Sequence, residues 1–206
     1  MKTHKNFLLA GGLLFAWTAA ALSFSFVAAS GDPFAPCRDN DMVDFAQIGG
    51  GFTLKDETGH VVNDTQILDK PTLLYMGYTF CPDVCPLDNM RNAEAIYTLE
   101  DRGLEAQAVF VSFDPERDTP EVLAEFTDVF HPEMIGLTGD EKAMKEMASA
   151  YHTVFEFQDR EDEFYLIDHT TYTYVIIPGH GVVDIVSRND TADVVADRMQ
   201  CIANQV

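Results

Sequence analysis

Positive charge is scarce in this chain. Thirteen Lys and Arg stand against 34 Asp and Glu, for a formal net charge of −21. Lys2 and Lys5 are the only charged residues in 1–30, so the remainder carries −23 against the −21 of the whole. A surface of that sign repels a phosphate backbone and argues against nucleic acid as a partner. It suits a soluble, self-repelling domain, or one that steers a basic partner. No internal repeat or low-complexity run is present, which excludes solenoid and collagen-like architectures. No Arg/Ser-rich amphipathic presequence opens the chain, so export in a bacterium is expected rather than import into an organelle. Cysteine is also sparse: four residues, with no Cys-x-x-Cys among them.

Present instead, at the N-terminus, is an uncharged stretch from Phe7 to Ala29. As a helix it would span ~35 Å, enough for a bilayer core. A cleaved signal peptide is the competing reading, with "VAAS" as the peptidase site, but the apolar run exceeds the usual signal core. We therefore read residues 1–30 as an uncleaved membrane anchor. Lys2, His4 and Lys5 stay inside, and the acidic domain emerges in the periplasm from a single-pass inner-membrane helix. Residues 31–48, beginning "GDPFAPCRDND", lack periodicity and read as a linker. The functional domain is then 49–206.

Within that domain "GGGFTLKDETGHVV" predicts a β-hairpin, and "KPTLLYMGYTF" a buried strand. From Pro86 a helix is expected, with Met90, Ala93, Ile96 and Tyr97 at apolar spacing and Gly103 just past its end. "AQAVFVSF" reads as the next strand and "DPERDTP" as a turn. Thr119 is expected to cap a helix with Pro120 at its first position. A short strand "MIGL" precedes a helix capped by Asp140. "TYTYVIIPGHGVVDIVS" predicts a second hairpin, and "TADVVADRMQCI" a closing helix. This βαβ then ββα order, with one inserted strand and helix, fits an α/β three-layer sandwich of the thioredoxin-like class.

The chemistry gathers at two places. "YTFCPDVCP" sets Cys81 and Cys85 four apart at a strand-to-helix junction, where helix N–H groups favour a thiolate. One helical turn separates them, so both sulfurs can face one side. A redox disulfide, a metal clamp and a structural staple all remain open for this pair. The second place is His169 in "YLIDHTTYTYVI", expected on the loop leading into the strand Thr171–Ile177. Oxidoreductases of the thioredoxin class place a cis-proline there, and this chain has no proline between Tyr165 and Ile177. Two thiolates and an imidazole suit Cu(I), Cu(II) with a further ligand, or zinc with an open position. His60, His131, His152 and His180 lack soft neighbours and read as structural. Cys37 and Cys201, at opposite ends of the exported domain, are expected to form a disulfide staple.

The segments "GYTFCPDVCP", "VSFDPERDTPEVL", "IGLTG" and "YLIDHTTYTYVI", in this order from about Phe52 onward, resemble the Sco (SenC/PrrC) family of membrane-anchored copper proteins. The resemblance implies a thioredoxin-like fold and copper ligation by Cys81, Cys85 and His169. It also implies a role in assembling the CuA centre, with the CuA-bearing subunit of cytochrome c oxidase as partner. The chain departs from the family at one hairpin, where "IIPGHG" replaces an Asp-Pro-x-Gly turn. Asp83 and Asp168 flank the ligands and are candidates to tune them or to dock a partner. Asp114 and Arg117 are expected to brace the neighbouring loop.

On this reading the chain is a copper metallochaperone. The alternatives are a thiol–disulfide reductase that keeps a partner's cysteines reduced, supplied by a thiol reductant, and a redox or copper sensor. A Cys81–Cys85 disulfide would be the metal-free form. A peroxiredoxin-like reading rests on Thr79 two residues before Cys81. It is weakened because no arginine follows Arg160 near the His169 loop.

Overall fold

The computed structural model describes residues 31–39 and 43–206. Among them no helix is long and apolar enough to cross a membrane. The anchor expected at 7–29 lies outside the described residues. Pro33–Val206 forms one compact unit.

The first hairpin pairs β1 (Thr53–Asp56) with β2 (Val61–Asn63), and a short helix α1 (Asp64–Ile67) follows. The core strands are β3 (Thr72–Gly77) and β4 (Gln107–Ser112), both buried at all six positions. Burial on both faces is what a continuous apolar run such as "TLLYMG" predicts for a parallel strand covered by helices. Helix α2 (Val84–Asp101) makes the crossover between them, and Gly103 beyond its end takes the left-handed conformation at φ 81°. Helix α3 (Pro120–Asp128) leads from β4 to β5 (Ile135–Thr138). Thr119 accepts the Val122 N–H at its start, with Pro120 at the first turn. Asp140 caps α4 (Glu141–Ala150) by accepting from Ala143 at 2.8 Å.

A two-stranded ribbon comes next, β6 (Phe155–Phe157) paired with β7 (Ile167–His169). The chain then forms the hairpin β8 (Thr173–Ile177) and β9 (Gly181–Val186), and closes with α5 (Ala192–Ala203). The main sheet runs β2-β1-β5-β4-β3-β8-β9, with β3, β4 and β5 parallel and the outer strands antiparallel. This is the thioredoxin-like βαβ–ββα frame with β5 and α3 inserted.

Helix α2 differs from the sequence expectation in two ways. The helix expected from Pro86 begins at Val84, so Cys85 lies in its first turn. Of the four residues expected on its buried face, Ala93 and Ile96 are buried, whereas Met90 and Tyr97 are exposed. Asp88, Asn89, Arg91 and Asn92 are buried beside them. They are tolerated because they find partners: Arg91 donates to Thr173 Oγ1 at 2.7 Å and to the Ser187 carbonyl at 2.9 Å, and Asn89 donates to the Cys85 carbonyl at 2.8 Å.

Within the stretch read as a linker, 3-10 turns form at Ala35–Cys37 and Phe45–Gln47. Phe34, Cys37 and Phe45 are buried in the core, and Arg38 donates to the Val183 carbonyl at 2.8 Å. Cys37 and Cys201 of α5 are joined by a disulfide.

Candidate metal centre

Cys81 ends the turn that leaves β3, its N–H reaching the Tyr78 carbonyl at 3.4 Å. Cys85 follows in the opening turn of α2, fully buried. The residue in the cap position of α2, Asp83, makes no side-chain cap hydrogen bond. The Cys81 sulfur stands at that helix start, where the Cys85 thiol and the N–H groups of Asp83, Val84 and Cys85 favour its thiolate. The shared Cys85 hydrogen bond, then the helix-start N–H groups, hold Cys81 well below its ordinary value, against the opposing effect of burial. Cys85 moves the other way: donation to Cys81 and then burial keep its proton in place. Of the two sulfurs Cys81 is thus the one that ionises more readily.

Gly77 makes the room for Cys85. A Cβ on this last residue of β3 would lie 2.7 Å from the Cys85 sulfur and 3.0 Å from the Tyr75 ring. Tyr75 donates its hydroxyl to the same sulfur at 3.8 Å. Its own proton is held by burial and by the nearby Cys85 and Asp88.

His169 closes the site. It is the last residue of β7 rather than part of a loop, half-buried and paired in register with Phe155. Its ring lies edge-on to Tyr75 and Tyr78, with centroids at 6.3 and 5.8 Å, and Phe113 stands at 5.9 Å. Nδ1 is 2.9 Å from the Thr170 carbonyl, so Nδ1 carries the proton and donates it. The Nε2 lone pair is left facing Cys85, with Sγ 3.4 Å away. That backbone bond selects the ligating tautomer.

The ligand atoms of Cys81, Cys85 and His169 all lie within 4.8 Å of one another. Thiolates bound to a common ion at ~2.3 Å sit at most roughly 4.6 Å apart, so the three atoms need shift only by tenths of an ångström. No carboxylate belongs to this group. The donor set is soft, which suits Cu(I) or zinc and not Mg²⁺ or Ca²⁺.

Two buried carboxylates clamp the loops that carry the ligands. Asp118 accepts from the Thr79 N–H at 2.9 Å, the Thr79 hydroxyl at 2.5 Å and the Ser112 hydroxyl, tying the cysteine loop to the end of β4. Asp114 accepts from Tyr165 at 2.7 Å and from Arg117 Nε at 2.5 Å. The Arg117 guanidinium lies 3.5 Å above the Tyr165 ring and 4.7 Å from that of Phe80. Asp114 and Arg117 thus join the segment before β7 to the cysteine loop, the bracing expected of "DPERDTP".

Asp83 and Asp168 are exposed. Asp168 accepts from Gln158 at 2.6 Å, and among the described residues neither carboxylate bonds Cys81, Cys85 or His169. Tyr75, Gly77 and Asp118 touch or support the site and escaped the sequence reading. Gly77 carries a signal in hindsight, a glycine closing an otherwise bulky buried strand just before two cysteines.

Of the histidines read as structural, His131 is buried against Tyr97 and Glu100. His60 bonds Thr58 in the first hairpin turn, and His180 meets the Phe34 ring edge-on.

A thioredoxin-like domain with two cysteines and a histidine gathered at the end of its central strand defines a soft-metal or dithiol protein. The family is more particular. A sequence model of SCO1/SenC proteins matches residues 40–204, and the chain belongs to that family. Protein SenC of Rhodobacter capsulatus is 45% identical over 170 residues, covering 82% of this chain and 77% of the relative. The solved structure of Arabidopsis thaliana ScoI with copper bound is 36% identical with a TM-score of 0.72, over 76% of this chain and 99% of that one. Bradyrhizobium japonicum ScoI with copper bound is 32% identical with a TM-score of 0.68, over 74% and 98%. Homologous Sco structures therefore hold copper, and this chain presents a Cys-Cys-His group able to hold a metal.

Proposed function

We propose that this protein is a copper metallochaperone that delivers its cargo to the CuA-bearing subunit of cytochrome c oxidase during assembly. Cys81, Cys85 and His169 are its ligands. The single observation that carries this reading is the convergence of those three donors, with the His169 tautomer selected for Nε2 ligation. The family resemblance supplies the destination. Residues 1–30 anchor the chain in the inner membrane, and the domain from 49 works in the periplasm.

Capture uses the Cys81 thiolate first, since it needs no deprotonation. Cys85 then gives up one proton as its sulfur binds, and His169 completes the set. Three protein ligands leave a coordination position through which a partner's thiolate adds before any ligand of this chain departs. Copper moves by stepwise exchange with no change of oxidation state.

A thiol–disulfide reductase role is the second reading, favoured by the lowered Cys81 thiolate beside a free Cys85. Cys81 would attack a partner disulfide, and Cys85 would resolve the mixed disulfide. Two electrons and the Cys85 proton pass to the partner as a Cys81–Cys85 bond forms, leaving the partner as one thiol and one thiolate. Titration of the reduced protein with Cu(I), followed by metal analysis, separates the two. One tight equivalent that is lost in His169→Ala, with dithiol exchange retained, supports the chaperone. Unchanged copper affinity in His169→Ala would remove His169 from the ligand set.

A further inference from the structure

The ribbon that carries His169 has a second face. Phe155, Phe157, Ile167 and His169 point inward along its ladder, so Val154, Glu156, Leu166 and Asp168 alternate outward. Glu156 and Asp168 are direct cross-strand partners. Like charges in that relation destabilise a sheet, and three residues per strand leave little to offset them. Among the described residues neither acid has a cation partner. The ribbon's own cation, Arg160, is committed to Glu116 at 2.9 Å and Glu141 at 3.3 Å. Beside the acids, Val154 is 71% exposed and Leu166 42%.

We propose that this outer face is the docking surface for the copper-accepting partner, a protein presenting Lys or Arg side chains next to apolar ones. This rests on the chaperone reading and adds the partner's recognition chemistry. Charge complementarity names the occupant. A cationic side chain between Glu156 and Asp168 relieves their repulsion, and only a macromolecule would also cover Val154 and Leu166. The position is apt for handover, because the pair Glu156–Asp168 adjoins the pair Phe155–His169 in the same ladder. A partner seated here is fixed to the strand that holds a ligand while leaving the ligand itself uncovered.

The test measures binding of the apo CuA domain to the copper-loaded full chain in detergent, across a salt series, with copper transfer read separately. Glu156→Gln/Asp168→Asn should bind about five- to tenfold more weakly at low salt and approach the parent as salt rises. Its Cu(I) affinity should be unchanged. Glu125→Gln/Asp128→Asn makes the same charge change on α3 and should bind like the parent. Equal binding by the ribbon variant and the parent overturns the proposal, as does an equal loss in the α3 control. So does magnesium bound by the parent and not by the ribbon variant, which would make the face a cation site. Partner binding that depends on the ribbon without any copper transfer would sink the chaperone reading and leave the docking face standing.

Discussion

Gly77→Ala tests the packing that shapes the copper site. The added Cβ would sit 2.7 Å from the Cys85 sulfur, 3.0 Å from Tyr75 and 3.3 Å from Phe110. Ordinary contacts of this kind are ~3.5–4.0 Å, so the overlap with sulfur is about 1 Å. Gly77 is paired in register with Ser112 in the middle of the sheet, and its backbone has little freedom to retreat. The sulfur must move. Overpacking of this size costs about 1–3 kcal/mol, which for a domain of this length lowers the melting temperature by roughly 2–12 °C. A displacement near 1 Å is also several times the ~0.2 Å tolerance of a metal–ligand bond. The variant should therefore stay folded, melt earlier and lose at least about tenfold in Cu(I) affinity, measured by competition with a chromophoric chelator. The decisive arm is a double-mutant cycle. In a Cys85→Ala background the sulfur is gone, so Gly77→Ala should cost markedly less stability than in the parent. Equal costs in both backgrounds, or parental copper affinity in Gly77→Ala, would refute the reasoning.

Metal binding should release one proton, because Cys81 is shifted toward the thiolate and Cys85 toward the thiol. Cu(I) affinity should then rise about tenfold per pH unit between about pH 7 and 8.5, and not a hundredfold. Ultraviolet titration of the reduced protein should show one thiolate surviving well below the ordinary cysteine range. Two thiolates titrating together there would contradict this. Replacing Cys37 and Cys201 by Ser removes a link across 164 residues, and should cost about 2–5 kcal/mol in urea denaturation while leaving copper affinity untouched. Asp118→Ala strips the acceptor from the half-buried Thr79 N–H and the buried Ser112 hydroxyl, and should cost about 1–3 kcal/mol and weaken copper binding. Asp118→Asn keeps an acceptor oxygen and should be milder by both measures.

How much of this was legible in the sequence depends on the kind of signal. Strands β3 and β4 could be read because burial on both faces demands an unbroken apolar run. The caps at Thr119 and Asp140 could be read because a cap is a local hydrogen bond with a local signature. Cys81, Cys85 and His169 were legible as donors of matching softness, and their convergence required only the thioredoxin-like order of elements. The ribbon was not legible: "FEF" and "IDH" are three residues each, too short for alternation to stand out from a loop. Nor was the true inner face of α2, where Asp88, Asn89, Arg91 and Asn92 are buried. Hydrophobic periodicity found Ala93 and Ile96 but not these polar positions, because Arg91 and Asn92 bond Thr173 and Ser187, more than 80 residues away.

The same physics explains the buried acids at the site. Cys81 lies in a turn and His169 at the end of a three-residue strand, where few backbone hydrogen bonds hold either in place. Their spacing must nonetheless be kept to tenths of an ångström for a common ion. Asp118 and Asp114 supply that restraint by gathering donors from Thr79, Ser112, Arg117 and Tyr165, four residues brought together only by the fold. A carboxylate that satisfies several buried donors at once has no periodic or local signature. It appears in a sequence as one more acid among 34. The ligands could thus be found by their chemistry and the Asp114–Arg117 brace by its turn, whereas the role of Asp118 became visible only in three dimensions.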